Sequence, residues 1–259
     1  MNWFEAIVLG LIQGLTEFLP VSSSGHLEIA KALFGVDPEA SFYFTIAVHG
    51  ATVLSTIFVF WKEILNLAEG TLKFKMNEET SYVLKIIVSM VPVGIAGVLL
   101  KDPIEKLFNG NLIFIGSMLL VTSAILAAAH FVTKRDRSIG YIDAIIIGLA
   151  QAVAVIPGIS RSGATIATGL MIGNKKEEIA RFSFLMVLVP VIGANVLELA
   201  TGNINTTSIG AGIILAGFIS AFISGYIACK WMIALVKRSK LIWFSIYCAA
   251  AGLLSIFLG

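Results

Sequence analysis

A chain of 259 residues in which 58% are hydrophobic and only 13% charged is far poorer in charge than a soluble domain, which carries about 25%. Together with a mean hydropathy of +0.94, this composition specifies an integral membrane protein whose surroundings are membrane lipids. Nucleic acid is excluded as a partner, because backbone phosphates call for a clustered basic face, whereas the net charge of +2 is spread over short loops between apolar segments.

In chain order, "MNWFEAIVLGLIQG" has no basic leader and no small-residue cleavage site, so it reads as part of the fold and not as a signal peptide. Residues 3–35 are apolar but interrupted at "LPVSSSG". Three runs near 42–61, 82–100 and 112–132 then reach the length of about 20 residues that spans the hydrocarbon as a helix. Residues 139–173 repeat the interrupted pattern, broken at "IPGISRSG", and runs near 183–200, 209–229 and 241–258 follow. Lipid cannot satisfy irregular backbone, so a break at membrane depth must line a cavity or lie inside protein. Both interrupted regions therefore read as re-entrant helical hairpins. Cys229 and Cys248 lie in apolar runs without metal or disulfide spacing and read as packing residues.

A constant shift of 138 residues carries Gly10 onto Gly148, Leu11 onto Leu149, Gln13 onto Gln151, Ser22 onto Ser160, Ser24 onto Ser162 and Gly25 onto Gly163. The expected fold is thus one all-α membrane domain, 1–259, of six spans and two re-entrant hairpins. Residues 1–132 and 139–259 form its two repeats. Three spans per half turn the second repeat upside down, and such inverted repeats place their site near the midplane. Lys230, Lys237, Arg238 and Lys240 without an acid, and Lys134, Arg135 and Arg137 against Asp136, face the cytoplasm by the positive-inside rule. The uncharged "TGNINTTS" and the C-terminus then lie outside.

Within this greasy frame, Glu17 is the first anomaly, since an ionisable group in a membrane segment is costly and marks a polar cavity. Gln13 lies one turn earlier on the same face. Ser22, Ser23, Ser24 and Gly25 suit the start of a short half-helix whose free N–H groups attract an anion. His26 stands beside that nest as a nucleophile, base or acid. His49 and His130 read as packing residues. Arg161 replaces Ser23 in the overlay, and its planar fork matches phosphate oxygens. Ser160, Ser162, Gly163 and Thr165 add donors around it. Asp143, Lys85 and Glu198, near segment ends, read as interfacial groups without a role. One acid, one imidazole, one guanidinium and many hydroxyls inside a bilayer suit a phosphate or diphosphate carried on a lipid tail.

"QGLTEFLPVSSSGH" and "PGISRSGAT" resemble the two signature regions of the undecaprenyl-diphosphate phosphatase family of bacterial membrane enzymes, the bacitracin-resistance family, and the resemblance runs over the whole chain. It implies a multi-pass protein of the bacterial plasma membrane, active at the external face. It also implies hydrolysis of undecaprenyl diphosphate to undecaprenyl phosphate and inorganic phosphate, which recycles the lipid carrier of cell-wall precursors, with a magnesium or calcium ion as cofactor. Glu17, His26 and Arg161 would be the catalytic core, with Glu17 on the metal or beside His26. The attacking atom is Ser23, His26 or water. The family's first motif takes its amide form here, Gln13 to Glu17.

Two other readings compete. Inverted repeats with broken helices also serve transport, so a lipid-phosphate transporter or flippase is the alternative. The acid-phosphatase-like lipid phosphatases share Ser-Gly-His, but this chain has no Arg-Pro and carries Ala167 where their histidine would stand. Small residues in "GAGIILAGFISAFISG" pack helices within one chain or across a homodimer.

Overall fold

A computed structural model describes residues 1–36, 41–100, 103–104, 106–107, 110–132, 136–201, 209–237 and 241–259. The first interrupted region forms α1 (Trp3–Phe18) and α2 (Ser23–Phe34); then come α3 (Phe42–Val59), α4 (Trp61–Leu72), α5 (Glu78–Leu99) and α6 (Leu112–His130). The second interrupted region forms α7 (Tyr141–Val153) and α8 (Arg161–Met171), followed by α9 (Lys176–Met186), α10 (Leu188–Thr201), α11 (Ala211–Lys237) and α12 (Leu241–Leu258).

Helix starts carry the side chains that unsatisfied N–H groups require. Asn2 and Glu5 close a capping box on α1, with Glu5 accepting from Asn2 N at 2.9 Å and Asn2 from Glu5 N at 2.9 Å. At the position equivalent under the 138-residue shift, Asp143 accepts from Gly140 N at 2.9 Å. Gly35 ends α2 at φ +63, the left-handed conformation that glycine adopts without cost.

Among the described residues, five helices, α3, α5, α6, α11 and α12, are long and apolar enough to cross a membrane. Their outer faces bear exposed residues such as Val91, Ile95 and Val98, and all four tryptophans, Trp3, Trp61, Trp231 and Trp243, are exposed as well. That pattern suits hydrocarbon flanked by interfacial aromatic belts. The expected span at 183–200 is not one helix: the chain breaks at Val187 between α9 and α10. Pro190 explains the break, since it lacks the N–H that would continue the ladder to Met186 and is accommodated in the first turn of a new helix.

Without a hydrophobic drive between helices, packing rests on close approach. α1 lies along α11 and α7 along α5. A Cβ added at Gly10 would sit 2.3 Å from the carbonyl oxygen of Gly217, and one at Gly148 would sit 2.3 Å from that of Ser89. Gly116 and Gly252 do the same for α6 and α12, with Cβ positions 2.5 and 2.7 Å from each other's carbonyl oxygens. The small residues of α11 therefore serve α1 inside one chain. Cys229 and Cys248 are buried and free, as packing residues are.

Asp143 departs from its expected interfacial setting. It is buried, receives Arg137 Nη2 at 2.6 Å and Asn174 Nδ2 at 3.1 Å, and ties the start of α7 to the loops before and after the second hairpin. A cation and a capped backbone N–H together offset the cost of burying this carboxyl group. Lys85 lies over the Tyr141 ring, 5.7 Å from its centroid. The side chain of Glu198 lies outside the described residues, as do Lys134, Arg135, Arg238, Lys240 and the loop 202–208.

If close approach governs this packing, Gly10→Val should cost about 1–3 kcal/mol and lower the thermal unfolding midpoint in detergent. Gly94→Val, at a position with no atom within 4 Å, should not lower it.

Candidate active site

The two helix breaks meet. A Cβ on Gly25 would lie 3.2 Å from Gly158 Cα, one on Gly163 would lie 3.4 Å from Pro20 Cβ, and Ser162 Oγ donates to Leu19 O at 3.1 Å. Their irregular backbone is satisfied from a neighbouring helix, as buried polar groups require. Thr122 of α6 accepts from Ser160 N at 3.0 Å and donates to Gly158 O at 3.1 Å.

Each break opens a half-helix through a serine cap. Ser22 Oγ accepts from Gly25 N at 3.2 Å, and Ser160 Oγ accepts from Gly163 N at 3.0 Å. Ser22 alone is strained, at φ +71. A non-glycine residue there costs about 1–3 kcal/mol and persists where surrounding structure enforces it. The Ser22 carbonyl opens the ladder of α2, accepting from His26 N at 3.2 Å, and also accepts from His26 Nδ1 at 2.8 Å.

Glu17, at the end of α1, is the hub. Its Oε2 accepts from Gln13 Nε2 at 2.9 Å and from Ser23 Oγ at 2.7 Å, and its Oε1 is ion-paired with Arg161 Nη2. The carboxylate side chain is 7% exposed and the guanidinium side chain 26%. Because a carboxylate only accepts, Gln13 must turn its amide nitrogen to Glu17, which leaves Oε1 of Gln13 buried without a partner. Ser24 Oγ lies 3.3 Å from Ser22 Oγ, and Ser162 Oγ 3.4 Å from Ser160 Oγ. Thr165 donates to Arg161 O at 2.9 Å and shares a hydrogen bond of 2.6 Å with Ser183.

A cavity of about 20 Å3, the room of one water molecule, lies against this pair. Glu17, Arg161, Ser162, Ser183, Thr52 and Thr56 form its polar wall, while Val53, Val187, Leu188 and Val191 form its apolar one. A cavity of about 590 Å3 exists elsewhere, lined by groups including Glu63, Tyr82, Lys175 and Arg181. Despite its size, it contains neither helix break nor any residue of the two motifs.

The geometry thus brings together Glu17, Gln13, Ser23, Arg161 and Ser162, with Ser22, Ser24, Gly25, Ser160, Gly163 and Thr165 shaping the two openings. His26 turns elsewhere: its Nε2 meets Tyr247 Oη of α12 at 2.8 Å, and the two rings stack at 5.5 Å. Among the described residues, no bond joins it to Glu17 or Arg161. His49 is bonded within α3, through Nδ1 to Thr45 O at 2.9 Å, and His130 packs edge-on against Phe131. Thr52, Thr56 and Ser183 escaped the sequence reading. The first two offered a faint signal, hydroxyls four residues apart on a helix that also carries Thr45, His49 and Ser55.

Among the described residues no three His, Cys, Asp or Glu side chains gather into a metal cage. The donor set suits a hard cation differently. Magnesium and calcium bind oxygen, and magnesium is commonly held through one or two carboxylates plus substrate phosphates. Glu17 beside the unpartnered Oε1 of Gln13 meets that description.

The ion pair should be coupled energetically. In a double-mutant cycle of Glu17→Gln and Arg161→Met, the unfolding free energies should deviate from additivity by roughly 1–3 kcal/mol; additivity would mean that the two groups stand apart.

The model of the bacitracin resistance protein BacA family matches residues 6–254. Undecaprenyl-diphosphatase of Parabacteroides distasonis is 54% identical over 99% of this chain and 98% of its own length. The protein of that name from Bacteroides fragilis is 52% identical with the same coverage, and that from Methanosphaera stadtmanae is 40% identical over 100% of this chain and 98% of its own. Apolar helices, paired helix breaks and near full-length similarity converge on one statement: this multi-pass membrane protein belongs to the BacA family.

Proposed function

We propose that this chain is an undecaprenyl-diphosphatase, which hydrolyses undecaprenyl diphosphate to undecaprenyl phosphate and inorganic phosphate and so recycles a lipid carrier of cell-wall synthesis. The observation that carries this reading is the Glu17–Arg161 pair set between two serine-capped half-helices, in a chain 54% identical to a protein of that name. The same positive ends and hydroxyls would grip any phosphorylated lipid, and the near full-length similarity to proteins named undecaprenyl-diphosphatase is what favours hydrolysis over transport alone.

In phosphoryl transfer the protein chiefly positions groups and stabilises charge. Arg161 and the first N–H groups of α2 and α8 hold the diphosphate oxygens. The cavity is too small for a diphosphate, so substrate enters by drawing Arg161 from Glu17. That exchange frees Glu17 at the moment a proton acceptor is needed. Ser23 Oγ, already donating to Glu17, attacks the terminal phosphorus and gives up its proton to that carboxylate. The bond from that phosphorus to the bridging oxygen breaks, and its electron pair leaves with undecaprenyl phosphate. Water then cleaves the phosphoserine and restores the hydroxyl. His26, in the same first turn of α2, is the second proton carrier. A magnesium or calcium ion, held by Glu17 and Gln13 Oε1, would offset the negative charge of the diphosphate.

The 138-residue correspondence supports an inverted repeat, 1–132 against 139–259. The pairing of α1 with α11 and of α7 with α5 is what such a repeat requires, each hairpin lying along the second long span of the other half. On this reading α9 and α10 together replace the sixth span. The loop charges set the C-terminus outside in a bacterial inner membrane, with the site opening to that face.

With purified protein and undecaprenyl diphosphate, Arg161→Ala should lower the rate of phosphate release by about a hundredfold or more. His49→Ala should change it less than about threefold; equal losses would place the site elsewhere.

A further inference from the structure

His26 has a hydrogen-bond arrangement that decides which of its nitrogens is basic. The Ser22 carbonyl can only accept, so the 2.8 Å contact from His26 Nδ1 fixes the hydrogen on that atom. The neutral ring then offers its lone pair at Nε2 alone, and there Tyr247 Oη stands at 2.8 Å. The phenol is the donor to the neutral ring. When Nε2 gains a proton, the same oxygen turns to accept from it, with no heavy atom moved. The near-parallel stack, with an interplanar angle of 10°, keeps the imidazole from rotating about its χ2 bond.

From this we propose that Tyr247 is a positioning residue for the reaction: through its hydroxyl it keeps the basic Nε2 of His26, whose tautomer the Ser22 carbonyl sets, in one place through both protonation states. The proposal rests on the assignment of His26 to proton transfer. It adds a partner contributed by the last helix, 221 residues away in sequence. Orientation of a catalytic imidazole by a neighbouring group is a general requirement of acid–base sites. Here the Ser22 carbonyl supplies one half of it and the Tyr247 hydroxyl the other. Tyr247 is half-exposed, so its phenol is not needed to fill the core.

The test uses the full-length protein in nanodiscs and Tyr247→Phe, which keeps the stacked ring and removes only the hydroxyl. The expected result is a fall in kcat of about tenfold with KM unchanged. In 15N-histidine NMR, the His26 signals, assigned by their loss in His26→Gln, should keep the Nδ1–H tautomer while the Nε2 resonance moves downfield as its hydrogen bond is lost. Trp243→Phe, an exposed aromatic on the same helix, should leave both readouts at wild type. Wild-type kcat and an unchanged Nε2 resonance in Tyr247→Phe would overturn the proposal, as would a change confined to KM. Should His26→Gln retain full activity, the catalytic assignment of His26 falls, whereas the NMR result still decides whether Tyr247 holds Nε2.

Discussion

A carboxylate and a guanidinium placed among apolar helices are tolerable only together. Either charge alone in such surroundings would cost several kcal/mol, so the contact between Glu17 and Arg161 constrains everything around it. Its partners come from positions 144 residues apart, which obliges the end of α1 and the start of α8 to converge. That convergence in turn requires two helices to stop inside the apolar region and two others to begin there. Serine caps, Thr122 and the strained Ser22 then satisfy the exposed backbone.

The two breaks are alike in capping and unlike in chemistry. Under the same shift that matches their serines, Glu17 falls on Val155 and Ser23 on Arg161. One break thus contributes an acid and a hydroxyl, the other a cation. A pair of equivalent sites would repel or idle, whereas this arrangement makes one site from two halves. Gln13 and Gln151 show the divergence directly. Gln13 donates to Glu17 at 2.9 Å, while Gln151 has only Met90 Sδ at 3.9 Å.

Much of this was legible in the sequence, because composition, span length and interrupted apolar runs report directly on what lipid permits. The long apolar helices, both interruptions and the small-residue contacts of α11 follow from those rules, whereas the guanidinium of Arg161, which the sequence assigned to phosphate oxygens, is paired with Glu17. Tertiary choices were not legible. The break at Val187 lies in a run whose hydropathy favours an unbroken span, and only Pro190 hinted otherwise. Asp143 resembled an interfacial acid because its partner Arg137 sits in a loop with other charges. His26 seemed adjacent to Glu17 by proximity in sequence, but a residue in the first turn of a helix can face any neighbour, and it faces Tyr247.

The most direct measurement is a structure of the protein with undecaprenyl methylenediphosphonate, whose bridging carbon resists hydrolysis. The account predicts the terminal phosphonate between the N-termini of α2 and α8, in contact with Arg161 Nη2 and Ser23 Oγ, with Arg161 withdrawn from Glu17. A diphosphonate bound away from both breaks, with the Glu17–Arg161 pair intact, would contradict it.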